Sequence, residues 1–170
     1  MQNIYLVGFM GTGKTVIGKE LSRQKKMHFV DLDELIEARE KRDILEIFAK
    51  DGEAYFRKME RQLLSEISHK ENYVVSCGGG IVIDPENIRI MKASGTMICL
   101  SASADVILER TQKFRHRPLL NVANPKEKIT SLLAARAPYY GQADKTINTS
   151  HISVKEVVKE AMDYIDRKDR

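Results

Sequence analysis

Eight consecutive residues, Gly8-Phe9-Met10-Gly11-Thr12-Gly13-Lys14-Thr15, carry the first recognisable chemistry in the chain. They satisfy the pattern G-x-x-x-x-G-K-[ST]. Glycines let a backbone curl until several N–H groups face one anion. A helix starting at the end of such a loop adds the positive end of its dipole. Lys14 is then placed to reach the β- and γ-phosphates of a nucleotide, and the Thr15 hydroxyl to ligate Mg²⁺. The residues expected to cradle the phosphates are Gly11, Thr12, Gly13, Lys14, Thr15 and Val16. The loop alone does not separate a kinase from an ATPase or a GTPase. The absence of an Asn-Lys-x-Asp run disfavours guanine readout.

A second set of groups suits the partner of that phosphate. Asp31 and Asp33 follow the apolar pair Phe29-Val30. Past a strand end, two such carboxylates reach a ligand cleft. There Asp31 would hold magnesium through water, and Asp33, as a catalytic residue, would accept a hydrogen bond from a substrate hydroxyl and help remove its proton. The same two acids equally suit the first turn of a following helix. Gly78, Gly79 and Gly80 come after another apolar run. Three glycines exceed the needs of a turn and suggest close approach of backbone to a ligand, although a flexible loop has the same composition. Arg57 has Glu60 three residues on, the spacing of an ordinary helical salt bridge. Arg117 lies in a basic stretch, and Arg136 has Ala134, Ala135 and Ala137 beside it, which leave its guanidinium reachable. Taken one at a time, each of these arginines also fits a solvated surface charge.

The elements that would position these groups follow from periodicity. Asn3 to Val7 reads as a buried strand, and Lys14 to Gln24 as a helix. His28 to Asp31, Tyr73 to Ser76, Thr96 to Leu100 and Lys145 to Asn148 read as further strands. Asp43 with Glu46 resembles a capping box that restarts a helix after the segment holding Leu35 and Ile36. Glu53 to Ser68, a segment from Ala104, Lys126 to Ala137, and Val154 to Ile165 carry helical spacing. Residues 112 to 125 are polar, basic and hold two prolines, so they read as a loop. Strands alternating with helices imply an α/β fold with a mostly parallel sheet covered on both faces.

Composition bounds the rest. At 170 residues with 42% apolar and 31% charged residues, the chain suits one folded domain spanning 1–170 rather than disorder. It has no apolar run long enough to span a bilayer and no signal-peptide pattern, so a cytoplasmic protein without a membrane partner is expected. Cys77 and Cys99 are too few and too scattered for a disulfide framework or a zinc site. The net charge is +4, yet residues 110–140 alone carry +6. One cationic segment with little aromatic interleaving suits a phosphorylated small ligand better than nucleic acid.

Taken together, these residues resemble the shikimate kinase family. The resemblance runs through the phosphate loop, Asp31-x-Asp33, Phe56-Arg57 with Glu60, Gly78 to Gly80, Arg117-Pro118-Leu119-Leu120, and Arg136 with Tyr140. It implies a three-layer P-loop kinase fold like that of adenylate kinase. Five parallel strands would be flanked by helices, with a substrate-binding region at about 32–61 and a mobile lid at about 112–124. It implies transfer of the γ-phosphoryl group of ATP to the 3-hydroxyl of shikimate, on the route to chorismate and the aromatic amino acids, with Mg²⁺ as metal and a monomer as the working form. It assigns Asp33 and the backbone of Gly78, Gly79 and Gly80 to shikimate's hydroxyls, Arg57 and Arg136 to its carboxylate, and Lys14 and Arg117 to the transferring phosphate. Arg110 and Pro118 would flank the adenine. Ser153 stands where the family commonly has Arg or Gln beside that ring. The nearest alternatives are a kinase of the same architecture for gluconate or a nucleotide, and a nucleotide-binding module without catalysis.

Overall fold

The computed structural model describes residues 2–112 and 122–168. Strand β1, Asn3–Val7, is buried along its whole length. Its side chains alternate between two cores: Tyr5 and Val7 enter one, and Ile4 and Leu6 enter the other. That is the signature of a strand covered on both faces. After β1 come α1 (Lys14–Lys25), β2 (His28–Asp31), α2 (Leu32–Glu40), α3 (Ile44–Ser68) and β3 (Tyr73–Ser76). A short 3-10 turn at Ile81–Ile83 leads into α4 (Pro85–Ser94), β4 (Gly95–Ser101) and α5 (Ala104–Gln112). The chain continues with α6 (Pro125–Tyr140), β5 (Lys145–Asn148) and α7 (Val154–Lys168).

All the strand pairs are parallel, in the order β2-β3-β1-β4-β5. The first strand therefore sits in the middle of the sheet, with β3 on one side and β4 on the other. Ligands of open parallel sheets gather beyond the strand C-termini, where the order reverses. Here that point is the loop after β1. Helices α2, α3 and α4 pack over one face around Leu32, Ile36, Met59, Leu63 and Met91. Helices α1 and α7 cover the other through Ile17, Leu21, Val157, Val158, Ala161 and Ile165. A third small cluster, Phe9 with Ile107 and Ile129, lies under the loop itself.

The capping signal at Asp43 is made: its side chain accepts from the Glu46 N–H at 2.7 Å, at the start of α3. That helix is bent where Gly52 adopts φ +82°, a left-handed value that a side chain would resist. The bend separates the Ile44 segment from the Glu53–Ser68 segment expected from periodicity. Helix α4 is an addition to the elements read from sequence. A parallel step from β3 to β4 requires a crossover. Its start is marked by Asp84, whose carboxylate caps the Glu86 N–H at 3.0 Å, and by Pro85 in the first turn. Its apolar spacing is short, with Ile88 and Met91 buried.

Candidate active site

Strand β1 delivers the chain directly into the phosphate loop. Gly13, at φ +96°, is the residue that turns the loop into α1 and stands at its N-cap. A β-branched residue could not hold that angle without strain. The Lys14 ammonium folds back over the loop, donating to the carbonyls of Gly8 at 2.8 Å and Phe9 at 2.9 Å. Thr15 donates to Asp31 Oδ2 at 3.0 Å. Asp31 caps the following helix, as its sequence position allowed, and also faces Thr15. Its Oδ1 caps α2 by accepting from the N–H groups of Asp33 (3.0 Å) and Glu34 (3.4 Å), while Oδ2 faces Thr15.

Two hard oxygens at hydrogen-bond distance fit Mg²⁺, which takes one or two protein oxygens and leaves the rest of its octahedron to water and phosphate. Among the described residues no group of three or more His, Cys, Asp or Glu could hold a metal alone. The donor set thus suits a metal that arrives with a nucleotide.

The glycine run Gly78–Gly80 is where distant residues meet. None of the three has positive φ, so backbone freedom is not their reason. For Gly78 and Gly80 the reason is lateral room, whereas a β-carbon at Gly79 would meet its neighbours at ordinary contact distance. A β-carbon on Gly80 would lie 2.8 Å from Arg57 Cζ and 2.9 Å from its Nη1. One on Gly78 would lie 2.8 Å from Glu60 Oε1 and 3.1 Å from Asp33 Oδ1. One on Gly79 would lie 3.5 Å from Arg136 Nη1 and 3.5 Å from the Gly8 carbonyl. Asp33 from α2, Arg57 from α3 and Arg136 from α6 therefore border one short stretch of backbone beside the phosphate loop.

Each arginine is braced. Arg57 pairs through Nη1 with Glu60 Oε2 at 2.8 Å and lies 5.2 Å from the Phe56 ring centre. This is no surface pair, because the Glu60 side chain is fully buried. Arg136 is buried and lies 5.5 Å from the centre of the Phe9 ring. One turn later Tyr140 donates its hydroxyl proton to the Gly79 carbonyl at 2.6 Å. Glu60 and Tyr140 belong to the motifs quoted above, but residue type and spacing gave Glu60 only an ordinary salt bridge and Tyr140 no task. Burial on the inner face of α3 and α6 was the missing information.

Burial pushes the Glu60 carboxyl up to about 7, against the pull of Arg57, and the nearby charges of Asp33 and Asp84 push the same way. Its Oε1 has no hydrogen-bond partner among the described residues. In the unfolded chain the group titrates near 4.5. The folded state thus binds this proton more tightly. The stability it contributes is fully present below about pH 4.5 and is lost as pH rises through about 7. Glu60→Gln removes that slope. Its unfolding free energy relative to the parent should climb between those pH values, by at most roughly 3 kcal/mol, and then level off. Urea melts across the range check this; a difference that stays flat with pH would refute it.

Not every expected site residue joins the group. Arg110 spends its guanidinium on the Gly11 carbonyl (3.1 Å) and on Thr149. Ser153 is exposed and caps α7: its N–H and hydroxyl both reach Glu156 Oε2 at 2.7 Å. Val16 is 58% exposed on the first turn of α1. Arg117 and Pro118 lie outside the described residues, as does most of the 112–124 segment.

A phosphate loop after the central strand of a β2-β3-β1-β4-β5 parallel sheet, with braced cations facing it, makes the chain a P-loop kinase of small molecules. The family model for shikimate kinase matches residues 10–166. A shikimate kinase of Thermodesulfovibrio yellowstonii is 42% identical over 98% of this chain and 96% of its own. One of Thermus thermophilus is 44% identical over 96% and 90%. The solved shikimate kinase of Acinetobacter baumannii, in complex with shikimate, superposes with a TM-score of 0.94 at 34% identity, covering 99% of this chain and 94% of that one. The chain belongs to the shikimate kinase family. It is a kinase that phosphorylates shikimate with ATP and Mg²⁺, a step of aromatic biosynthesis. No helix among the described residues is long and apolar enough to cross a membrane.

Proposed function

We propose that the chain transfers the γ-phosphoryl group to the 3-hydroxyl of shikimate with its groups in the following roles. Gly11 to Val16 bind the phosphates of ATP through backbone N–H groups and the Lys14 ammonium. The Thr15 hydroxyl and the Asp31 carboxylate hold Mg²⁺. When bound, that ion supplies charge neutralisation to the phosphate oxygens. Arg57 and Arg136 grip the substrate carboxylate, since guanidinium forks match its two oxygens. The backbone of Gly78, Gly79 and Gly80 and the Asp33 carboxylate bind the hydroxyls. Arg110, Pro118 and the backbone around Ser153 border the adenine side, and Arg117 adds a cation toward the transferring group.

The observation that carries this reading is the meeting of Asp33, Arg57 and Arg136 at Gly78–Gly80, beside the loop that holds Lys14. Two fixed cations there suit an organic acid whose hydroxyl must face the terminal phosphorus. Catalysis is then mainly positioning and charge stabilisation. Asp33 orients the attacking hydroxyl; a loose transition state needs little early deprotonation. All these groups come from one chain, so a monomer suffices. Both cysteines are free and buried, which accords with a cytoplasmic setting.

Incubation with ATP, Mg²⁺ and shikimate should yield ADP and a product heavier by one phosphoryl group, with phosphorus coupling at the 3-position in NMR. Gluconate and nucleoside monophosphates, offered in parallel, should turn over far more slowly. Faster turnover on either, or ADP release with no phosphorylated acid, would overturn the assignment.

A further inference from the structure

A phosphate loop works by aiming N–H groups at its ligand, so the carbonyls of the same peptides must be held on the other side. Across a planar trans peptide the C=O and the following N–H point in opposite directions. Two carbonyls of this loop are tied from behind. Gly11 O accepts from Arg110 Nη1 at 3.1 Å, and Thr12 O accepts from the Thr149 hydroxyl at 3.0 Å.

Thr149 follows β5 and is 3% exposed. It is held from several directions. Its N–H donates to the Ser101 carbonyl at 2.8 Å. Its own carbonyl accepts from Arg110 Nη2 at 2.7 Å, and its hydroxyl oxygen accepts from Arg110 Nη1 at 3.0 Å. A second acceptor, Ser101 O, lies 3.2 Å from the same hydroxyl. The hydroxyl has a single proton to give; Arg110 fills its acceptor side, and Thr12 O at 3.0 Å is the nearer of the two acceptors for that proton. Thr149 thus joins three elements: the phosphate loop, the end of the sheet at β4 and β5, and helix α5.

We propose that Thr149, backed by Arg110, is a positioning residue that orients the Thr12–Gly13 peptide of the phosphate loop for ATP. With the Thr12 carbonyl held toward Thr149, the Gly13 N–H points away from it. Without the hydroxyl, that buried carbonyl loses a partner and the peptide is free to rotate. The consequence falls on the nucleotide side, because Thr149 touches none of the groups at Gly78–Gly80. The inference rests on residues 11–16 being the ATP site.

The test is a kinetic split among variants of similar shape. Thr149→Val replaces the hydroxyl by a methyl group, and Thr149→Ser keeps the hydroxyl. For Thr149→Val we expect the KM for ATP to rise about tenfold, the KM for shikimate to stay within about twofold, and Thr149→Ser to return the ATP KM close to that of the parent. If Thr149→Val shows no cooperative thermal transition, Thr149→Ala takes its place. An unchanged ATP KM in Thr149→Val, or a Thr149→Ser variant as impaired as Thr149→Val, would overturn the proposal. A parallel rise in both KM values would do the same. Lys14→Ala, assayed alongside, separates the two levels of the argument: retention of full ATP affinity and turnover there would remove the underlying site assignment rather than Thr149's part in it.

Discussion

Lys14→Ala should lower kcat/KM for ATP by about a thousandfold while leaving the thermal midpoint nearly unchanged. The size follows from removing a pre-positioned charge at the place where negative charge builds up during transfer; one such donor contributes about a hundred- to a thousandfold. The small stability effect follows from the surroundings of Lys14. Its ammonium is only partly buried and donates to two carbonyls of its own loop, Gly8 and Phe9. Those carbonyls can take water once the side chain is gone. Lys14→Arg keeps the charge but not the compact ammonium, and should recover only part of the loss. Steady-state kinetics with a thermal melt of each variant decides the matter. A Lys14→Ala enzyme within tenfold of the parent would mean that phosphate is bound elsewhere.

Arg136→Met should raise the KM for shikimate by a hundredfold or more and leave the KM for ATP within about threefold. Arg136 is buried against Phe9 and beside Gly79, so a lost pair of charge-assisted hydrogen bonds is not replaced by solvent. Arg136→Lys keeps the charge without the fork and should fall between the two. Arg57→Met has the same target but a second consequence. It strips the buried Glu60 of its ion-pair partner, and the carboxyl, already raised to about 7, must rise further. The Arg57 variant should therefore lose stability at neutral pH, where the Arg136 variant does not. Substrate titrations and melts at two pH values distinguish them. If the KM for shikimate stays unchanged in Arg136→Met, the carboxylate assignment fails.

These predictions draw unequally on the chain's two levels of information. The phosphate loop was legible because its function is local: glycines, lysine and threonine act within eight residues, between a strand and a helix that periodicity also announces. Strands β1, β3 and β4 were legible for a similar reason, each being a short apolar run bounded by turn residues, whereas β5, Lys145–Asn148, carries only one apolar residue, Ile147. Helix α4 was not, because its apolar face is only two well-spaced residues long and the crossover between β3 and β4 is what demands it. Among the site residues, Arg57 with Glu60 illustrates the limit. Spacing alone describes an ordinary salt bridge at the surface, whereas the fold buries Glu60 completely and turns the pair into a brace.

A phosphate-binding loop was therefore readable from residue order alone, together with the α/β class and most element positions, since those depend on neighbours within one turn or one strand. The tertiary structure decided which of the scattered charges share a site. Asp33 on α2, Arg57 on α3 and Arg136 on α6 are separated by tens of residues and meet only where folding brings those helices together around Gly78–Gly80, just past the C-terminal end of β3. It also decided the reason for Gly78 and Gly80, which is room for those side chains rather than freedom of backbone, and the place of Thr149, whose hydroxyl folding sets behind the phosphate loop. Side-chain type is a property of the chain; which side chains are denied water and given one another as partners is a property of the packing.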